Sequence, residues 1–361
     1  MKTALILTTI NVPHVLALYR RFDPGVRFFV ACDEKTPKAA YDFCASIPDC
    51  EAYSPGRQKE LGWECSPLIG WYTIARRNIA LLEALKWGAE LIVSVDDDNI
   101  PMGAAYFMNY FKMFDDKVYF DDPSTPPITW NRAWSGLKVS GRGWFDPGQL
   151  QFPADGVDPV CQRGFPQQSL GLQSFEPVVD ARIGVAQGAV LGDPDTSAVD
   201  RISRHPMVHQ VSEILRAGVV SDPRATWAPL NAQNIAFLRE LAPCFLMVPQ
   251  WGRYDDIWAG LIVQRVMRER QMFVHYGRPF AFQQRNAHDL VKDLKAEFFG
   301  MEYTLEFANW LDKFPSACSL ADHVLDFVAA IYERLPVMGF MPQEINLLGA
   351  AWVADCKRAM A

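Results

Sequence analysis

The sequence predicts an α/β protein with a mixed, mainly parallel sheet flanked by helices, and three observations predict it. Two short apolar runs, Thr3 to Thr9 and Phe28 to Cys32, enclose a helical stretch at Val12 to Arg21, which is the opening of a βαβ unit. A strongly helical segment, Trp71 to Trp87, then delivers the chain into a third apolar run, Leu91 to Val95. Finally, 361 residues of which half are hydrophobic are enough to bury a large core.

The bulk numbers exclude several classes. A formal net charge of -7 and a pI near 5.5 speak against a nucleic-acid binder, whose affinity rests on clustered Lys and Arg. No apolar run approaches the ~20 residues of a membrane helix, so no transmembrane segment is expected. Met1 to Thr9 lacks a basic leader and a cleavage site, and is read as a first buried strand. The eight cysteines contain no Cys-x-x-Cys pair. Free thiols in a reducing compartment follow, with the cytoplasm as the expected location.

Along the chain, Asp33-Glu34-Lys35-Thr36-Pro37 ends the second strand and leads into a helix at Pro37 to Cys44. Ligands of open α/β sheets bind at that edge, so Asp33 is either a nucleotide contact or a turn former. In the segment Trp71 to Trp87, Thr73 can cap the start and Gly88 the end, with an apolar face from Ile74 to Leu85. Arg76 and Arg77 fall at its positive end, an odd position unless they face an anion or the acidic turn ahead. A helix follows at Ala104 to Phe114. Residues 115–180 read as a loop-rich insertion covering the sheet edge near that turn, with Trp130, Trp134, Trp144 and Phe152 too apolar for disorder. Arg182 to Leu191 is an ordered element, Ala232 to Leu241 a helix, and Trp251 onward a long helix to about Arg270. Helices are expected at Ala287 to Asp312, Leu320 to Arg334 and Gln343 to Ala359. The division is a catalytic domain over 1–314 and a C-terminal helical appendage over 315–361. The appendage's Phe327, Ile331, Leu347 and Leu348 would pack on the domain or form a contact in a homo-oligomer.

The chemistry concentrates at Val93 to Pro101, where a buried strand ends in Asp96-Asp97-Asp98-Asn99. Burying carboxylates costs several kcal/mol each unless they are compensated. Oxygen donors on a tight turn suit a hard divalent ion, Mg²⁺ or Mn²⁺, sharing its remaining positions with phosphate oxygens. The competing reading is a solvated acidic turn. Downstream, Arg253-Tyr254-Asp255-Asp256 opens the long helix. One acid there is explained by the helix dipole, while two flanked by arginine offer a catalytic or acceptor-binding pair. No phosphate-cradling glycine loop follows the first strand, so kinases and dehydrogenases lose ground. Metal plus arginine neutralising a diphosphate leaving group is the remaining route, and cleavage of a sugar-diphosphate bond is the chemistry it serves.

The Asp96 to Asn99 turn resembles the Asp-x-Asp motif of GT-A nucleotide-sugar glycosyltransferases, whose fold is Rossmann-like. Cys161-Gln162-Arg163-Gly164-Phe165-Pro166, Gly192-Asp193-Pro194-Asp195, Pro229 to Phe237 and Gly252 to Gly260 are similar, in order, to blocks of the reversibly glycosylated polypeptide family, which includes the UDP-arabinopyranose mutases. The N-terminal half, with Asp33 to Pro37 and Ala75 to Ile79, also resembles STELLO-type proteins. The resemblance covers about residues 3 to 310. It implies a GT-A-like fold, a nucleotide-sugar donor with UDP as its nucleotide, and metal and diphosphate binding at Asp96, Asp97 and Asp98. It further implies a reversibly glycosylated arginine at Arg163, a donor-side acid at Asp195, and a substrate-side acid pair at Asp255 and Asp256. Arg253 falls beside that pair and, with Arg76 and Arg77, is a candidate donor-binding cation. This chain has Phe282-Gln283 where the family has Trp-His, and Ser197 replaces a second acid after Asp195. His288, the nearest histidine, is therefore the candidate third metal ligand beside Asp96 and Asp98. Three functions follow: a metal-dependent glycosyltransferase using an unknown acceptor, a UDP-sugar pyranose/furanose mutase, and a non-catalytic nucleotide-sugar-binding or self-glycosylated scaffold.

Overall fold

A computed structural model of the chain describes residues 1–114, 136–153, 159–169, 171, 173–178, 181–286, 288–315 and 324–361. Its centre is one mixed sheet. The principal strands are β1 (Thr3–Thr9), β2 (Arg27–Cys32), β3 (Cys50–Tyr53), β4 (Leu91–Val95), β5 (Asn99–Pro101), β6 (Leu137–Val139), β7 (Phe175–Pro177), β8 (Ile183–Gly192), β9 (Val219–Ser221), β10 (Asn234–Leu238) and β11 (Phe273–Gln283). They run in the order β3-β2-β1-β4-β10-β8-β11-β9-β6-β7, with β5 pairing antiparallel to the end of β11. The first four are parallel, and β10 enters antiparallel between β4 and β8. The order reverses at β1, so the carboxyl ends of β1 and β4 flank the crevice where open α/β sheets bind ligands.

Helices cover both faces: α1 (Val15–Phe22), α2 (Lys38–Ala45), α3 (Arg77–Trp87), α4 (Tyr106–Phe114), α5 (Asp255–Glu269), α6 (Leu290–Lys313), α7 (Val324–Arg334) and α8 (Ile345–Met360). Strand alternation divides the core between them. Leu5, Leu7, Phe28 and Val30 pack with Tyr19, Tyr106 and Tyr110 on one side. Ala4, Ile6, Phe29 and Ala31 pack with Ile79, Leu82 and Leu85 on the other. Both faces are buried, which is why these strands read as continuous apolar runs.

The Trp71 to Trp87 segment starts later than its sequence suggests. Thr73 does accept a hydrogen bond from the Ala75 amide, but it caps a single 3-10 turn, Ile74–Arg76, and α3 begins at Arg77. Gly88 ends it in the left-handed region at φ 88°. The expected helix at Ala232 to Leu241 is instead the central strand β10, followed by 3-10 turns at Arg239–Cys244. Its two faces are both covered, Ile235 and Phe237 by one core cluster and Ala236 by the other, so it lacks the alternation that would mark it.

Within 115–180, part of the described residues extends the sheet, while the turn carrying Arg163 shares a cavity with the acidic turn. β6 pairs with β9 and β7 with β6, because their backbone groups complete the far edge. Trp144 packs on Trp227 with ring centroids 6.4 Å apart, and Phe152 stays partly exposed. Trp130 and Trp134 lie outside the described residues.

The C-terminal helices share the main core. Trp352 donates its indole N–H to the Pro243 carbonyl at 2.8 Å, and Tyr332 stacks on Trp251. Buried Asp355 accepts from the Glu64 and Cys65 amides at 3.0 and 2.8 Å. Phe327, Ile331 and Leu348 are buried and Leu347 is exposed. The described cysteines, Cys32, Cys44, Cys50, Cys65, Cys161, Cys244 and Cys356, are free thiols. No helix among the described residues is long and apolar enough to cross a membrane.

Candidate active site

The carboxyl ends of β1 and β4 open into a cavity of about 600 Å³. Asp33, Arg77, Asp96, Asp97, Asp98, Arg163, Asp195, Arg253, Asp255, Asp256 and His288 all line it, although they span some 250 residues of sequence. Of the residues singled out from sequence, Arg76 alone lies elsewhere.

The acidic turn is tied down by its backbone. The Asn99 amide donates to the Asp96 carbonyl at 3.2 Å, and the Asp96 amide and the Asn99 side chain both donate to the Gln233 carbonyl. Each carboxylate then meets a different partner. Asp96 pairs with Arg77 at 2.5 Å, and Arg77 also donates to the Ala232 carbonyl at 2.9 Å. Asp97 accepts from the Thr9 hydroxyl and from Asn11. Asp98 accepts from the Gln283 amide at 3.1 and 3.2 Å. Burial, and then the charge of Asp96, pushes the Asp98 carboxyl up to about 6. Asp97 is raised mainly by burial.

Neighbouring residues of one helical start point about 100° apart, and this separates the two arginines. Arg76 is fully buried on the other side, donating to Gln58, Ser66 and the Gly70 carbonyl and lying over Trp71 at 4.0 Å. It braces the loop before α3 and does not line the cavity. Asp33 lines the cavity, and its carboxylate accepts from the amides of Glu34, Tyr72 and Thr73, as the turn-forming reading expects. That hold fixes Tyr72 at φ 62° on the cavity wall.

Across the cavity, two glycines bring a second charged cluster together. Gly164 has φ +90°, and a Cβ there would sit 2.4 Å from Ile257, so the turn carrying Arg163 abuts the first turn of α5. Gly252, at φ +59° and against the Ala296 carbonyl, kinks the chain ahead of Arg253 and Asp255. Arg163 forms a fork with Asp195, Nε and Nη2 donating at 2.8 and 2.7 Å, and Nη2 also reaches both oxygens of Asp256 at 3.2 Å. Its Nη1 is buried and finds no acceptor among the described residues. Burial would lower the Arg163 pKa, but the two carboxylates raise it well above its usual value. Burial likewise opposes ionisation of Asp195, yet the charge of Arg163 holds it down at about 2.

Neither Asp255 nor Asp256 is the residue before α5; Tyr254 holds that position, with no side-chain bond. Asp256 accepts from the Ala232 amide at 3.0 Å. Asp255 has no cation at hydrogen-bond distance among the described residues, and burial followed by the charge of Asp256 pushes it up to about 8. Burial raises both adjacent carboxyls, but only Asp256 meets the Arg163 charge at hydrogen-bond distance, which opposes the rise there.

Arg253 lines the cavity but is held by Glu297 at 2.9 Å and Asp293 at 3.4 Å on α6. His288 pairs with Asp293 at 3.0 Å, and burial lowers its pKa. Among the described residues no three His, Cys, Asp or Glu side chains converge as a metal cluster, so His288 does not join Asp96 and Asp98 in one. Those two carboxylates could hold a cation only with ligands from water or substrate. Ser197, in place of a family acid, accepts from the Asp200 amide and caps the short helix Ala198–Ser203. Sequence reasoning missed Thr9, Asn11, Lys35, Tyr72, Gln233 and Arg285 as cavity residues. Lys35 carried a signal in its place after the second strand, and Gln233 fell inside the Pro229 to Phe237 block.

The chain is 25% identical over 223 residues to a protein named probable UDP-arabinopyranose mutase 1 from Solanum tuberosum, covering 55% of this chain and 57% of that one. It is 28% identical over 190 residues to UDP-arabinopyranose mutase 3 from Arabidopsis thaliana, covering 50% and 49%. The chain thus spans about half the length of the curated relatives it matches. The family profile described as reversibly glycosylated polypeptide matches residues 177–359, which takes in Asp195, Arg253, the Asp255-Asp256 pair and the C-terminal helices. On that match, over half of its length, the chain belongs to the reversibly glycosylated polypeptide family.

Proposed function

We propose that the protein breaks and re-forms the bond between the anomeric carbon of a UDP-sugar and its diphosphate, interconverting ring forms of the sugar. One observation carries this reading: the Asp96–Asp98 turn with Arg77 faces the Asp255–Asp256 pair with Arg163 across a single cavity. Its volume of about 600 Å³ lies within the usual range for small-molecule sites. Family membership, and the matched relatives named as mutases, support the same chemistry.

The turn suits the leaving group. A hard divalent ion fits its donor set, because oxygen-only carboxylates that burial holds above their usual range are relieved by a cation. Bound by Asp96 and Asp98, Mg²⁺ or Mn²⁺ would neutralise the departing diphosphate as a Lewis acid. The opposite wall suits the sugar. Changing ring size moves one proton onto the ring oxygen and takes one from the hydroxyl that closes the new ring. Asp255, raised to about 8, can give the first, and Asp256, which burial raises but the Arg163 charge draws back down, can take the second. Arg163 keeps its charge in this arrangement and is no nucleophile while it does. A sugar adduct on its Nη2 forms only as the C1–O bond to diphosphate breaks and a proton passes to Asp256, 3.2 Å away.

A second reading, transfer to a separate acceptor, shares every step up to loss of the diphosphate. The exposure of Tyr72 and Ile74 at the cavity wall, where an acceptor could enter, favours it. Purified protein incubated with Mn²⁺ and a panel of UDP-sugars, without acceptor, separates these. A new furanose or pyranose isomer by NMR is expected, and slow hydrolysis alone indicates transfer. A mass adduct without turnover marks a scaffold. An unchanged donor pool with no UDP binding refutes all three.

A further inference from the structure

The cavity's arginines are not equivalent. Arg77 sits 2.5 Å from Asp96, Arg163 2.7 Å from Asp195, and Arg253 2.9 Å from Glu297. Arg285, on the chain just past β11, has only a longer and shared one. Its nearest carboxylate, Asp193, stands 3.6 Å from its Nε and is already engaged by Arg201 at 2.7 Å. Nη2 reaches only neutral oxygens: Gln283 Oε1 at 3.0 Å and the carbonyls of Asp193 and Pro194 at 3.4 Å. Nε is buried and without an acceptor among the described residues. The group is about 90% buried yet lines the cavity. Burial, then the nearby Arg201, lowers its pKa, and the charges of Asp195 and Asp193 offset this only in part.

A buried guanidinium whose one carboxylate is distant and shared with a second arginine is costly unless a further anion completes it. Its location says which anion. Gln283 accepts from Arg285 and donates through Nε2 to Asp98, so the arginine stands one side chain away from the acidic turn. We infer that Arg285 completes an anion subsite that takes the distal phosphate of a nucleoside diphosphate, the group that leaves the sugar. This rests on the proposed UDP-sugar chemistry and deepens it: the fork geometry of a guanidinium matches a phosphate's paired oxygens.

The test compares UDP with UMP, which lacks the distal phosphate, by calorimetry in the presence of Mn²⁺. The wild-type protein is expected to prefer UDP. Arg285→Gln is expected to weaken UDP by about tenfold to a hundredfold while leaving UMP unchanged. A variant that keeps the UDP preference, or weakens both ligands equally, overturns the inference and leaves the UDP-sugar reading standing. A wild-type protein that binds neither refutes that reading and the inference with it. If Arg285→Gln fails to fold, the wild-type protein carries the test by NMR. The Arg285 Nε–H resonance, assigned by its absence from Arg285→Lys, should move with UDP and not with UMP; indifference to UDP overturns the assignment.

Discussion

Replacing Asp255 with asparagine tests the proton on which the proposed chemistry turns. Asparagine has the size of a protonated aspartic acid and cannot ionise, so at low pH the variant mimics the native site. Burial and the charge of Asp256 raise Asp255 to about 8, against roughly 4 in an unfolded chain. The native state therefore holds a proton that the unfolded state has released between those values. The stability this proton supports is fully present below about pH 4 and is lost as pH rises through about 8. The slope is at most about 1.4 kcal/mol per pH unit. Between pH 6 and 8 the wild-type protein should therefore lose up to about 2.7 kcal/mol relative to Asp255→Asn. With an unfolding entropy of about 2.1 cal/mol/K per residue over 361 residues, that is a relative shift of about 3.5 °C in melting temperature. Calorimetric melting of both proteins across this range measures it. Turnover of a UDP-sugar by the variant should fall at least a hundredfold, since a positioned acid contributes about 10²–10⁴. A melting difference that is flat from pH 6 to 8 would refute the buried proton, and full turnover by the variant would refute its use.

Asp195→Asn leaves Arg163 with Asp256 alone, so it should cost about 3 kcal/mol, the low end for breaking a buried pair, or about 4 °C in melting temperature. Because Asp195 is held down at about 2, its contribution is present above about pH 4 and disappears as pH falls through 2, where wild type and variant should converge in acid denaturation. Asp98→Ala should abolish Mn²⁺-dependent UDP binding in titration calorimetry; intact binding would show that the turn is not a metal site. In the wild-type protein the same binding should weaken as pH drops below about 6, where a proton competes for the Asp98 carboxylate.

What the sequence could and could not convey follows from which forces act locally. The Leu91 to Val95 strand and its acidic turn were legible because a run of apolar residues cannot end in three carboxylates without a reason. Thr73 and Gly88 were legible because capping is a property of one or two residues. Strand β10 was not, since its neighbours on both sides supply the burial that selects a strand over a helix, and Asn234, accepting from Tyr106 and Tyr110, is explained only by them. The same divide runs through the site. Asp255 and Asp256 stood out as adjacent acids, but their unequal access to counter-charge depends on Arg163, some ninety residues earlier, reaching one of them and not the other. Arg76 and Arg77 were indistinguishable in sequence; one helical step sends the second to Asp96 and the first to Gln58. Arg285 had no local signature at all. Its significance is the absence of a carboxylate within 3.5 Å among the described residues, and that is a fact of packing which only the assembled cavity expresses.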